Sequence, residues 1–347
     1  MLLIHAEDDF TKVGTPYYVM TESSSLNLRD APEKGKVIAQ LLKNEKVSLI
    51  KKDYSEPMSM GWDLVKTAKG KEGYVAIEFL SRFPVDVLDS LPMIQYVQSS
   101  TKENQLAVRP VLFKIKDRWM SGGIGDTEPV YVLKKLANLK TSLSVINSKG
   151  TELEKTKILS TSKAGCQEYA VGDISKTKKL QSLAENEVLY VLSNVKLNKE
   201  VKRESTLSKE QLSILQKEAD ILFKKNKIKD VESKKFQLKE IYLLKSAERQ
   251  FASVRYYLTN ENSMETKNLY ILFDLKKNKL VFSEFQELSK DQIGYGGNLH
   301  LEASFDLEGL GLIFIFQDIG FDASIKRIMR LEGDKLILVG MGGGDAC

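Results

Sequence analysis

The chain has 347 residues but only two histidines, two cysteines and seven prolines, and no uninterrupted apolar run long enough to span a bilayer. Each shortage excludes something. With His5 and His300 as the only imidazoles, and His5 in a leader-like start, any Ser-His-Asp or Cys-His arrangement would have to use His300. Cys166 and Cys347 are far apart and show no C-x-x-C or Cys/His ligand spacing, which excludes a structural zinc site. They remain the one disulfide candidate. Either they pair and close a very long loop, or one is a buried thiol and the other a free tail thiol. No Pro-rich or Gly/Ser-rich linker is present. Basic residues outnumber acidic ones only mildly, 52 to 47. The densest basic stretch, Lys224-Lys225-Asn226-Lys227-Ile228-Lys229, runs into Asp230 and Glu232 and lacks interleaved aromatics, so a nucleic-acid partner is not expected. The stretch reads as a solvated helix end with at most a weak attraction for anionic polymers or lipid head groups.

The hydrophobic share of 42% is enough for a sizeable core, and the length implies two or three domains. Met1-Leu2-Leu3-Ile4-His5-Ala6 followed by Glu7-Asp8-Asp9 has the form of a signal-peptide end and a polar mature start. Residues 1–16 are therefore expected to be a leader remnant or disordered.

From Tyr17 the pattern is that of short strands. In Ser24-Ser25-Leu26-Asn27-Leu28-Arg29, Leu26 and Leu28 point one way and Asn27 and Arg29 the other. Pro32 and Gly35 mark a turn. Val37-Ile38-Ala39-Gln40-Leu41, Val47-Ser48-Leu49-Ile50 and Trp62-Asp63-Leu64-Val65-Lys66 come next, then a Lys69-Gly70 hairpin, Glu72-Gly73-Tyr74-Val75 and Phe79-Leu80. Turn signals every 8–12 residues predict a small barrel or sandwich. The ordered series Leu-Asn-Leu-Arg-x-x-Pro, Gly-x-Val-Ile-x-x-Leu, Val-x-Leu-Ile, Gly-Trp-x-x-Val and Gly-x-x-Gly-Tyr-Val resembles the bacterial SH3 domain. That resemblance implies a barrel over residues 17–83 with Leu28, Val47, Val65 and Val75 in one interior, an extracytoplasmic setting, and a role in binding cell-wall peptide or glycan, or an envelope protein. The candidate binding residues are Tyr54, Trp62, Tyr74, Asn27 and Arg29. For Trp62 and Tyr74 the alternative is hairpin packing, and for Asn27 and Arg29 a tie between strand and loop.

Residues 84–104 read as a linker and residues 105–347 as a β-rich α+β region, in one piece or as 105–200 and 205–347. Val130-Tyr131-Val132-Leu133, Leu143-Ser144-Val145-Ile146 with its Asn147–Gly150 turn, Lys157–Ser160 and Val188–Leu192 read as strands. Ser208 and Gln211 form a capping box ahead of Leu212, Leu215, Ala219, Leu222 and Phe223, an amphipathic helix with a core-packing face. Strands in meander order continue to Gly340. Ser121–Asp126 is Gly-rich but lacks dinucleotide-binding spacing, and reads as a surface loop. Phe305-Asp306-Leu307-Glu308-Gly309-Leu310-Gly311 is similar to a degraded calcium loop of FG-GAP-like repeats. Two carboxylates, Asp306 and Glu308, fall short of the six to eight oxygens calcium takes, so a metal-free turn is expected over a weak calcium site.

The fold class expected is therefore mainly β: an N-terminal SH3-like β-barrel plus a larger antiparallel-sheet α+β region. The function expected is non-catalytic and extracytoplasmic, as a binding or scaffold protein exported to the periplasm or cell surface, with no cofactor, no nucleic acid and no transmembrane segment. The alternatives are a cell-wall hydrolase with an unrecognised catalytic domain using Cys166 and His300 or carboxylates, and a periplasmic protein with a ligand pocket in the larger region.

Overall fold

The computed structural model describes all residues except 1–11, 22–23, 53–60, 89–91, 100–104, 116–117, 122–126, 139, 165–168, 185–186, 247, 261–264, 289–297, 320–322 and 347. The leader-like start, Tyr54, residues 122–126 of the Gly-rich loop, Cys166 and Cys347 lie outside the described residues.

The N-terminal strands are β1 (Pro16–Val19), β2 (Ser25–Arg29), β3 (Val37–Leu42), β4 (Lys46–Lys51), β5 (Trp62–Thr67), β6 (Glu72–Ala76) and β7 (Leu80–Ser81). They pair antiparallel in the order β3-β2-β6-β5-β4-β1-β7 and curl about one core of Tyr17, Val19, Leu28, Leu41, Val47, Leu49, Val65, Val75 and Leu80. All four interior residues that the resemblance implies are among them. The two glycines of Gly-x-x-Gly-Tyr-Val serve different ends. Gly70 takes φ +80 in the β5–β6 turn, with open space around it. Gly73 faces inward where β2 crosses, and a Cβ there would meet the Arg29 carbonyl oxygen and Leu28 Cγ, each at 2.7 Å.

The barrel is clasped to the layers behind it. Asn44, at φ +66 in the β3–β4 turn, donates from Nδ2 to Asp86 Oδ1 at 2.7 Å and accepts the Val85 N–H on its own Oδ1 at 2.8 Å. Lys43 Nζ lies 5.6 Å from the centroid of the Tyr131 ring, and Met20 is buried in the next core. The stretch expected as a linker is structural: between Pro84 and Pro92 the chain makes α1 (Val85–Leu88), and then β8 (Met93–Ser99), a central strand of the second sheet. Its Met93, Ile94 and Val97 are buried, the apolar content that the nearby prolines obscured in the sequence.

The second sheet adds β9 (Gln105–Ile115), β10 (Arg118–Ser121), β11 (Leu143–Asn147), β12 (Glu152–Thr156), β13 (Ile158–Ala164), β14 (Tyr169–Ser175) and β15 (Leu189–Ser193), in the order β12-β11-β15-β8-β9-β14-β13 with β10 against β9. The helices α2 (Thr127–Asn138) and α3 (Lys178–Ala184) cover one face together with α1. Val130–Leu133, expected as a strand, is the middle of α2. Val132, Leu133 and Leu136 fall on one buried helical face, and that spacing outweighs the β preference of a short valine-rich run. In the β11–β12 turn Asn147 Oδ1 accepts the N–H groups of Lys149 and Thr151, and Gly150 takes φ +82.

The rest of the chain builds two more sheets. Short β16 (Leu197–Lys199) and β17 (Lys202–Glu204) precede α4 (Lys209–Lys225) and α5 (Asp230–Ser233). The Ser208–Gln211 capping box is present in full. Then come β18 (Gln237–Lys245), β19 (Gln250–Asn260), β20 (Glu265–Asp274), β21 (Lys279–Leu288), β22 (Leu299–Leu307), β23 (Gly311–Ile319), β24 (Ala323–Glu332) and β25 (Lys335–Ala346). The third sheet runs β16-β22-β23-β24-β25 and the fourth β17-β18-β19-β20-β21.

Four cores stack these sheets in layers. The first joins the helices α1–α3 to sheet two, and the second joins the far face of sheet two to sheet three through Ile94, Leu112, Ile146, Tyr190, Phe305, Ile313 and Ile315. The third core joins sheets three and four through Leu301, Phe314, Phe316, Leu244, Phe251, Tyr270 and Leu272. The fourth seats α4 on the outer face of sheet four, with Leu215, Ala219, Leu222 and Phe223 against Ala252, Val254, Leu269 and Ile271. Sheet three is thus apolar on both faces, which is why Leu312 to Phe316 has no polar member. A register shift between Leu301 and Ala303 reverses the phase of β22: Leu299 and Leu301 face sheet four, and Phe305 and Leu307 face sheet two.

One surface turn ties sheets three and four at their rim. Asp334 receives Lys277 and Lys279, and Arg249 reaches across to Asp274, Asp334 and the Gly333 carbonyl. Hydrogen bonds from Lys277 and then Lys279 hold the Asp334 carboxyl at about 2, below its ordinary 3.8. A depressed carboxylate contributes stability above its unfolded value, and that contribution is lost as pH falls from 3.8 through about 2. An NMR titration should find the Asp334 midpoint near 2 in the native protein and nearer 3.8 in a Lys277→Ala/Lys279→Ala variant. A native midpoint of 3.8 would contradict the ion-pair geometry.

Candidate functional site

Alternation in the barrel decides which side chains reach the surface. On β5, Asp63, Val65 and Thr67 are buried while Trp62 and Leu64 lie outside, partly exposed. On β6, Gly73 and Val75 are inside and Tyr74 outside. On β2, Leu28 is inside, and Asn27 and Arg29 are outside. Register then brings the outward residues together. Leu64 stands opposite Tyr74, Tyr74 opposite Arg29, and Arg29 opposite Val37, making one row across four neighbouring strands. Trp62 pairs with Ala76 and is the diagonal neighbour of Tyr74, close enough for large rings to share a ligand. Asn27 lies beside the row, opposite Gln40.

The polarity of β5 is inverted over its first three residues, Trp62, Asp63 and Leu64, before Val65 and Lys66 resume the ordinary order. Asp63 is 1% exposed, whereas Trp62 and Leu64 face outward. An antiparallel strand with one solvated face ordinarily buries its apolar side and exposes its polar one. Aromatic and aliphatic side chains are turned outward over several adjacent strands, the composition an interaction face would need. Val37, 49% exposed, extends the patch to the edge strand. Arg29 donates from Nη1 to the Gly35 carbonyl at 2.7 Å, which fixes its guanidinium over the β2–β3 turn and sets it as a rigid polar boundary to the apolar row. Lys66 and Glu72, paired at 3.0 Å, bound the patch on another side.

Four of the five residues singled out from the sequence, Asn27, Arg29, Trp62 and Tyr74, thus share one outward sheet face, and Tyr54 lies outside the described residues. Leu64 and Val37 were missed. The buried Asp63 between Trp62 and Leu64 was the signal for Leu64. Val37 could be placed only once β3 was known to be an edge.

The other candidates are dispersed. Asp306 Oδ1 accepts from Asn198 Nδ2 at 2.9 Å where β16 meets β22, and Glu308 sits in the β22–β23 turn. Among the described residues, no three His, Cys, Asp or Glu side chains are grouped as a metal would need. His300 is partly buried in β22. Burial lowers its pKa below the ordinary 6.5, and Arg255 adds to the effect. No helix among the described residues is long and apolar enough to cross a membrane.

Residues 24–81 match the family model of the bacterial SH3 domain, so the N-terminal barrel is a bacterial SH3 domain. Domains of this class are commonly modules of the cell-wall-binding type. Neither the curated proteins nor the solved structures yield a match to the chain.

Proposed function

We propose that the protein is a non-catalytic, extracytoplasmic binding or scaffold protein. Its SH3 domain recognises a cell-wall peptide or glycan through the outer face of β5, β6 and β2, and the layered region behind it is a rigid support. The observation that carries this is the inverted start of β5, with Trp62 and Leu64 turned out beside Tyr74 and Asp63 turned in. A shallow aromatic surface takes a sugar or short peptide by stacking, with Asn27 and Arg29 positioned to add directional hydrogen bonds. A protein partner in the envelope would use the same face.

Co-sedimentation with insoluble peptidoglycan tests the reading. The native chain should pellet and release no soluble muropeptides. Tyr74→Ala and Trp62→Ala should each weaken pelleting about tenfold, the loss of one aromatic anchor, without lowering the unfolding midpoint by more than a few degrees. Unchanged pelleting in both variants would remove the site from this face. Muropeptide release that Cys166→Ala abolishes would make the protein a hydrolase instead.

A further inference from the structure

At the far side of the layered stack from the barrel, α4 ends and the chain turns through Asn226 and Lys227 into α5. Lys227 has φ +59, and Ile228 is buried in the core beneath α4, so the corner is anchored. Between Lys224 and Lys239 stand seven lysines, all exposed, and two acidic residues. That surplus equals the +5 of the whole chain. Glu232 is already engaged by Lys267 at 2.8 Å. Among the described residues none of the seven lysines has an ion-pair partner, whereas lysines elsewhere do, such as Lys245 with Glu204 and Lys279 with Asp334. Unneutralised like charges repel one another and are a standing cost to the fold unless an anionic partner meets them.

Two aliphatic side chains project from the same corner. Val231, on α5 between Lys229 and Lys234, is 74% exposed, and Ile221 is 59% exposed. Helical spacing sets Ile221 among Lys217, Glu218, Lys224 and Lys225, three lysines to one carboxylate. A surplus of lysines near protruding aliphatic tips matches an anionic bilayer: the ammonium groups meet the phosphates, and the tips enter the acyl boundary. A nucleic acid would call for arginine and exposed aromatics, and the patch has neither, since Phe236 packs against the core.

We propose that the α4–α5 corner docks on an anionic phospholipid bilayer with Val231 and Ile221 inserted. This surface is independent of the wall-binding face. The barrel meets α1 and α2 on one side of the stack and α4 covers the other, so three sheets, spaced about 10 Å apart, separate the two. One chain can therefore touch wall polymer and bilayer at once.

The test is flotation of the full chain with phosphatidylcholine vesicles with and without phosphatidylglycerol, at low and high salt, and alongside soluble polyphosphate. Binding should require phosphatidylglycerol and weaken with salt. Lys224→Ala/Lys225→Ala should lower partitioning by about fivefold per lysine. Val231→Ser/Ile221→Ser should lower it by about tenfold. All four side chains are exposed, so the unfolding midpoints should match that of the native chain. No vesicle binding overturns the proposal. So does binding that the serine variant leaves unchanged, or that polyphosphate reproduces with the same variant pattern, since the corner would then be a general polyanion site.

Discussion

Lys326→Met is expected to destabilise the layered region by about 3–5 kcal/mol, because it breaks a buried ion pair and leaves one charge without its partner. Lys326 and Glu302 form that pair between sheets two and three, each side chain 3% exposed. Tyr190 donates its hydroxyl to Glu302 Oε1 at 2.6 Å, and Lys326 Nζ lies 4.0 Å from the centroid of the Tyr96 ring. Arg203 donates to the Leu301 and Glu302 carbonyls at the register shift that aims Glu302 toward sheet two. Removing the ammonium leaves a buried carboxylate with the Tyr190 phenol as its hydrogen-bond donor, and Glu302→Gln removes the carboxylate that the buried ammonium meets instead. The double variant, Glu302→Gln/Lys326→Met, buries no net or separated charge and keeps an acceptor for Tyr190. It should recover most of the loss, so urea unfolding of the two singles and the double should show strong coupling. Singles that each cost under about 1 kcal/mol would mean that water reaches the pair.

Gly73→Ala is expected to cost the barrel about 2–3 kcal/mol, and Gly73→Val to unfold it. The added Cβ would lie 2.7 Å from the Arg29 carbonyl oxygen and from Leu28 Cγ, and 3.0 Å from Ile38 Cδ1. Backbone oxygen cannot rotate away as a flexible side chain can, so β2 and β6 must part. A barrel of this size has only about 3–10 kcal/mol of stability to lose. Gly70→Ala is the control: no atom lies within 4 Å, and the expected cost of about 1–2 kcal/mol comes from φ +80 alone. Hydrogen exchange would read both, as loss of protection at Val47, Val65 and Val75 while sheets two to four stay protected. Equal protection in Gly73→Ala and the native chain would contradict the close β2–β6 approach.

The barrel was legible because its pairings are mostly local and its turns carry their own chemistry. Leu28, Val47, Val65 and Val75 lie in short strands bounded by Asn44 and Gly70, and each is buried as the resemblance implies. The layered region was legible as strands but not as layers. Leu299, Leu301, Ala303, Phe305 and Leu307 keep one uninterrupted period of two, yet the register shift at Glu302 sends them to opposite faces. No local pattern announces such a shift. Nor does one announce that Leu197 pairs with Leu307, across the whole of sheet four. The helix α2 was hidden by four residues rich in valine, and β8 by the prolines before it. In the site, residue types were readable from the sequence, but their neighbourhood was not: Arg29 meets Tyr74 only because β2 crosses beside β6 at Gly73.

The most direct measurement is chemical-shift mapping on the isotopically labelled full chain as soluble muropeptide fragments are added. Perturbations gathered on Asn27, Arg29, Trp62, Leu64 and Tyr74, with sheets two to four silent, are the expected result. Saturable shifts within those sheets while the outer barrel face stays unmoved would contradict it.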